Sequence, residues 1–587
     1  MTDELDAEAW LERGRTLASE GLLEEALEAF DRCLELEAEL AAGWLARAWA
    51  LDDLDRDEEA LVAAKRATEL DETSAPCWLA LGASCWYLDR NEEAAAAYRR
   101  AVELLPTFAH AWCNLGDVLA ELGAFEDALD AYRHARESEE ENPRGWFGAA
   151  IVLGDLDRDG EALPLLERAV EIAPDDARAW RTLAATLDGL DRGERALDAV
   201  ERALELAPDY TGAWRSKGVI LYRLRRDDEA AAAYARATDL DPSNPVVWRY
   251  RGDALGRAER DAEAVDCYRR AVDLDPESAR AWEALSDGLW DLGEYDEAAT
   301  TAARATELAP ERTGPWLSLG QALSELGRRR EAAAVYEQAL ELDPTHVGTL
   351  IGLGRVLWLL DEDEDALELF DRALEQDPDH PRAWRGRADT LRTLGRWEAA
   401  KASYRSALEL DPDVASAWVG LGWCEDSLDH PKEALASFER ATEVDPESAY
   451  PWARLGTFLG FADRLEEAAD AFREACALDP DDPEPQLQLA RVLVRAGSDE
   501  EAAEAAERAQ ELGPQDADGW RKLGDVNIEL DRAEAARTAY EQSVELDPSS
   551  REAWSSLAEI LDELGDDDAA DRARDRADAL SADEGDD

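Results

Sequence analysis

Arg181, Arg215 and Arg249 recur at a spacing of 34 residues. Evenly spaced guanidinium groups suit an extended acidic peptide or a chain-terminal carboxylate, because the planar fork can bond a carboxylate through two parallel N–H groups. Arg144 and Arg178 are candidates for the same surface. A structural reading competes with ligand binding, since arginines also pair with acids one helical turn away as ordinary surface electrostatics. Arg249 has Asp253 four residues on, whereas Arg181 and Arg215 meet Ala185 and Val219 at that spacing. Both readings stand at this point. A second candidate group is aromatic: Trp49, Trp86 and Tyr87 could anchor an apolar side chain of a partner, or pack as extra core.

Other chemistry-bearing residues form no constellation. His110 and Cys113 lie three apart, with Cys85 in the preceding repeat, but a metal site needs about three or four ligands. Cys85 falls at a leucine position and reads as a small core residue, so no metal is expected. His134, His346, His380 and His430 stand apart from any serine or cysteine arrangement of a triad. The pairs Gly352-x-Gly354 and Gly420-x-Gly422 follow no strand, so close helix packing explains them better than a phosphate cradle. Carboxylates are too numerous for any two to be singled out as general acid and base. The expectation is a protein without catalytic centre or cofactor.

The excess of carboxylates is itself informative. The chain of 587 residues has 137 Asp and Glu against 63 Lys and Arg, a formal net charge of −74. Only Lys65, Lys217, Lys401, Lys432 and Lys522 are lysines. Such a composition resembles cytosolic proteins of salt-accumulating archaea, and implies a fold that needs high salt, where like charges are screened. It opposes binding to nucleic acid, whose affinity rests on phosphate neutralisation. The acidic start, Met1 to Asp6, lacks the basic and apolar run of a signal peptide, and no apolar stretch is long enough to cross a bilayer. Seven scattered cysteines suggest no disulfide framework. A cytoplasmic location is expected.

What positions these residues is a repeat. Tryptophans stand at 10, 44, 78, 112, 146, 180, 214, 248, 282 and 316; the series continues through Leu350 to Trp384, Trp418 and Trp452, then through Gln486 to Trp520 and Trp554. With this residue at position 4, seventeen repeats run from Ala7 to Glu584, leaving acidic tails at 1–6 and 585–587. Position 20 is always alanine, position 8 is Gly, Ala or Ser, position 24 is usually aromatic, and position 32 is usually proline. Apolar residues at positions 4, 7, 8 and 11 share one helical face. Acids open a second helix, where they suit its dipole, and Asp-Pro ends it.

The stretches Trp112-x2-Leu115-Gly116-x2-Leu119, Trp316-x2-Leu319-Gly320-x2-Leu323 and Trp452-x2-Leu455-Gly456-x2-Leu459 resemble the signature of the tetratricopeptide repeat family. The resemblance implies an all-α solenoid, a right-handed superhelix of stacked helical hairpins, and a protein-binding role. It also implies that positions 2, 5, 9, 12 and 13 of each first helix line a concave groove. These positions carry Leu45, Trp49, Leu79, Trp86 and Tyr87 early on. Arg144, Arg178, Arg181, Arg215, Arg223, Arg249 and Arg257 follow, and Trp290, Leu317, Ile351, Trp358 and Trp423 come later. The family's carboxylate clamp is incomplete: Asn114 matches one place and Arg144 could replace a lysine, but Leu79 and Ala83 stand where Lys and Asn belong.

The function expected is a non-enzymatic scaffold for protein or acidic-peptide partners. A regulatory subunit that presents substrates to a separate enzyme is the alternative, and nucleic-acid binding by the arginines is disfavoured. Repeat 15 (Pro483 to Asp516), with Gln486 and Ala506 at positions 4 and 24, is expected to be a joint. The stretch 136–142 is a second one. Trp214 is expected to be buried, and the last helix, with Arg574 and Asp578 at apolar places, to form a solvated cap.

Overall fold

The computed structural model describes residues 6–583, and among these the regular structure is entirely helical: thirty-four helices, numbered α1 (Ala7–Ser19) to α34 (Asp567–Asp583) in chain order. Met1 to Leu5 and residues 584–587, which hold most of both acidic tails and the last position of repeat 17, lie outside the described residues. The chain divides into two compact units, 1–293 and 294–587, and the division falls inside repeat 9. Unit 1 holds α1 to α17 (Ala279–Asp291); unit 2 holds α18 (Tyr295–Leu308) to α34. Within each unit, the helices of a repeat form an antiparallel pair that stacks on its neighbours in sequence. First helices also touch the next first helix, as α7 (Ala109–Glu121) does α9 (Pro143–Asp155). Each unit is an all-α stack of helical hairpins, the repeat architecture that the sequence implies.

Small and large residues interlock to build each pair. Position 20 alanines such as Ala26, Ala230 and Ala434 are 0% exposed, which leaves no room for a longer side chain. Position 24 aromatics press against the first helix at position 8. A Cβ on Gly218 would lie 2.5 Å from Tyr234, and one on Gly14 would lie 2.4 Å from Phe30. Where position 24 is small or aliphatic (Ala64, Leu166, Val200, Ala302, Ala506), position 8 is Ala or Ser instead (Ala48, Ala150, Ala184, Ser286, Ala490). The two positions share one space and vary together in most repeats; in repeat 12 Ala388 stands opposite Tyr404.

The tryptophans at position 4 do more than fill volume. Trp214 is half-buried rather than buried, and its indole N–H donates to the Pro208 carbonyl, 2.8 Å away in the turn that joins repeats 6 and 7. Trp44, Trp180, Trp248, Trp384 and Trp554 bond the same carbonyl of their own preceding turns at 2.8–3.1 Å. An amphipathic ring with one wet edge suits this place. Within each hairpin, position 15 adopts left-handed geometry, at φ 57° in Asp55 and 78° in Gly21. Glycine and aspartate fit this conformation with little strain; Arg225 and Glu259, which adopt it too, do not.

Two places depart from the pattern. The Gly513-Pro514 turn replaces the usual Asp-Pro, with Gly513 at φ 78° where Asp241, for example, is at −133°. Among the described residues, Trp520 is the only position-4 tryptophan with a preceding turn that does not bond it; Gln486 has no indole to do so. Repeat 15 thus lacks the indole bond on both sides, although Arg473–Glu501 and Arg532–Glu507 ion pairs join it to its neighbours. The 136–142 turn follows the general pattern, with Trp146 bonding the Glu140 carbonyl at 2.9 Å. At the end of unit 2, Arg574 is exposed and ion-paired with Asp562 and Asp571.

Candidate functional site

The arginines of repeats 5 to 8 sort into two groups. Arg144 is held from below: its Nη2 donates to Asp117 Oδ2 at 2.7 Å and to Asn114 Oδ1 at 3.0 Å, and Tyr132 donates to the other Asp117 oxygen at 2.6 Å. Asn114 is therefore occupied by a residue of the chain itself. Arg249 pairs with Asp253 at 2.7 Å and lies over the Tyr250 ring. Burial raises the Asp253 carboxyl above its usual range, and Arg249 and the Tyr268 hydroxyl oppose that shift. Arg223 pairs with Asp188 at 2.9 Å, and Arg257 with Asp227 at 2.6 Å. The internal-pairing reading describes these four.

It does not describe the second group. Arg178, Arg181 and Arg215 have no carboxylate within ion-pair distance among the described residues. Arg178 and Arg215 are exposed, while Arg181 is half-buried and its Nε is buried without a hydrogen-bond partner. Arg178 and Arg181 project from α11 (Ala177–Gly189), and Arg215 from α13 (Thr211–Arg223). Asp176 caps α11 by accepting from the backbone N–H groups of Arg178 and Ala179 at 2.8 and 3.2 Å, so its charge is already engaged. The turn before α13 supplies Tyr210, whose ring centre is 6.0 Å from the Arg181 guanidinium carbon.

The aromatic candidates belong mostly to the packing. Trp49 and Trp86 are half-buried against the cores of repeats 2 to 4, and the Trp86 indole donates to Glu121 at 2.8 Å. Tyr87 stacks on Trp86 and stays 59% exposed. Cys85 and Cys113 are buried among apolar side chains, which pushes the Cys113 thiol up to about 11. His110 lies against Arg144; burial and that positive charge lower its pKa. Among the described residues, no group of three or more His, Cys, Asp or Glu is placed to hold a metal ion, and no helix is long and apolar enough to cross a membrane.

Family models match most of the chain. Tetratricopeptide repeat families match residues 7–40, 123–177, 181–245, 251–312 and 323–389, and a TPR repeat family matches 85–123. The chain is a tetratricopeptide repeat protein. Residues 360–587 also match the cilia and flagella-associated protein 70 C-terminal domain. No curated protein matches. Among solved structures, a chain in the crystal structure of the APC/C hetero-tetramer Cut9–Hcn1 is similar at 16% identity and TM-score 0.40, covering 83% of this tetratricopeptide repeat protein and 97% of that chain. A chain in the structure of Naa15/Naa10 bound to HypK-THB is similar at 16% identity and TM-score 0.37, with 98% and 99% covered.

One buried cluster escaped the sequence reading. Glu425 takes the leucine place at position 11 of repeat 13 and is 2% exposed; Lys401 takes an apolar place at position 21 of repeat 12. Glu425 lies 3.5 Å from Lys401 Nζ and 3.1 Å from Arg405, and accepts from the Ser437 hydroxyl at 2.7 Å. The signal was two charged residues at mostly apolar positions in adjacent repeats.

Proposed function

We propose that this protein is a non-enzymatic scaffold that holds an extended segment of a protein partner against the first helices of repeats 6 and 7. The carrying observation is the trio Arg178, Arg181 and Arg215. Arg168, Arg195, Arg202, Arg223 and Arg226, around the trio in sequence, each pair with one of the chain's own acids. Three neighbouring groups without one leave room for carboxylates brought by another molecule. A polyanionic nucleic acid would meet the same three charges, but also the field of the whole acidic chain. The composition further supports a home in the cytoplasm of a salt-accumulating cell.

Crosslinking in molar KCl tests the proposal. With five lysines and 137 acids, carboxylate-reactive reagents suit the chain better than amine-reactive ones. Crosslinks from the co-purified partner are expected to cluster on α11 and α13, and retention of that partner to fall when Arg181 and Arg215 are both replaced by alanine. Crosslinks confined to second helices, with retention unchanged in the double variant, would refute it.

A further inference from the structure

Beside the unpaired arginines lies a hollow of about 440 Å³ lined by Ala177, Arg178, Ala207, Pro208, Asp209 and Tyr210. Its surface is chiefly apolar apart from Arg178 and the rim carboxylate of Asp209. Tyr210 supplies the one aromatic ring of this lining. It occupies the N-cap position of α13, where Ser, Asp or Asn would cap the helix, and its side chain makes no capping bond. Asp176 and Asn244, at the equivalent places of the preceding and following repeats, do cap their helices. Leu40, Phe108 and Val414 leave the same place uncapped in other repeats, so what distinguishes Tyr210 is the arginine beside its ring. Here the ring lines the hollow and also lies beside the Arg181 guanidinium.

We infer that this surface recognises a peptide segment in which a carboxylate stands next to an apolar side chain: the carboxylate on Arg181 and Arg215, the apolar group in the hollow against Tyr210, Pro208 and Ala207. The inference rests on the scaffold reading and narrows it to one ligand chemistry. One feature argues for the combination over an acid alone: the hollow is an apolar seat beside the arginines. Arg181 Nε is buried, so an incoming carboxylate meets the Nη edge of that guanidinium. A segment bearing only acids would gain the ion pairs and leave that seat empty. It would also be repelled by Asp209 and the surrounding acids without compensation.

The test uses the full chain in 1 M KCl and three fluorescein-labelled glycine-serine decapeptides, read by fluorescence anisotropy. One carries two aspartates flanking a leucine, one the two aspartates alone, and one the leucine alone. The mixed peptide is expected to bind tightest. Arg181→Ala and Arg215→Ala should each weaken both aspartate peptides by about 10- to 100-fold. Tyr210→Ser, which installs a favoured cap and so preserves the fold, should erase the advantage of the mixed peptide while leaving the aspartate-only peptide unchanged. Equal binding of the two aspartate peptides overturns the inference, as does an advantage that survives Tyr210→Ser. If no peptide binds at millimolar concentration but partner crosslinks fall on α11 and α13, the inference fails and the scaffold reading survives. If the peptides behave as expected but partner crosslinks fall only on second helices, the recognised chemistry stands and the scaffold reading fails.

Discussion

Asp52 sits half-buried at the end of α3 (Ala41–Asp52), with Oδ1 out of reach of any donor among the described residues. Burial first, then the charges of Asp53, Asp57 and Asp55, push its carboxyl up to about 6. The folded chain therefore holds this proton more tightly than the unfolded one. The associated stability is fully present below the unfolded carboxylate range and is lost as pH rises through about 6. Asp52→Asn should accordingly stabilise the protein at pH 7.5 by on the order of 1 kcal/mol, and have little effect near pH 4. Thermal melts of both proteins at the two pH values check this; equal gains at both would dismiss the electrostatic account. Arg225 offers a backbone counterpart. It is exposed, at φ 61°, in a turn position that most repeats give to glycine or aspartate. Arg225→Gly should raise stability by about 1 kcal/mol, measured as a shift of the denaturation midpoint. The period alone was enough to place Arg181 and Arg215 on one face. Which arginines are paired was not legible, because Arg144 finds Asp117 twenty-seven residues away and Arg223 reaches Asp188 in the previous repeat. Such contacts depend on how long side chains lie across the stack, which spacing does not report.

Repeat 15, with helices α29 (Pro483–Ala496) and α30 (Asp499–Leu512), shows how much of an element's behaviour a repeat pattern carries. Gln486 and Ala506 already set it apart in the sequence. The left-handed Gly513 and the unbonded Trp520 indole became visible only in three dimensions, since a tryptophan at the right position looks like every other. Hydrogen exchange is expected to run faster in α29, α30 and the 513–516 turn than in the stapled repeats 12 to 14, because local opening follows the weakest interfaces. Protection equal to that of repeats 12 to 14 would remove the joint. The Lys401–Glu425 contact is the opposite case, an apolar interface turned ionic on both sides. Glu425→Leu alone leaves Lys401 poorly compensated and should cost about 3–5 kcal/mol, whereas Lys401→Leu with Glu425→Leu should be near neutral or stabilising. A double-mutant cycle by chemical denaturation decides: if the double variant loses the sum of what the two single variants lose, the pair is not coupled.

At the scale of the molecule, charge density and helix spacing set the conditions under which the stack holds. Packed helices lie about 8–10 Å apart, and at 0.1 M salt the Debye length is about 10 Å. Acids on one helix then feel those on the next, and an excess of 74 negative charges works against every interface at once. At 1 M the length is about 3 Å, shorter than the gap between helices, so the repulsion between neighbouring repeats largely disappears. Ion pairs three residues apart, such as Arg56 with Glu59 at the start of a second helix and Arg66 with Glu69 near its end, offset only part of the excess. The melting temperature should therefore climb steeply between 0.1 and 1 M KCl and flatten beyond, where screening is complete. An added neutral osmolyte should not reproduce that shape. A melt that is level from dilute buffer to molar salt would mean that the acids are tolerated for another reason, and would withdraw the salt-rich cell interior from the functional reading.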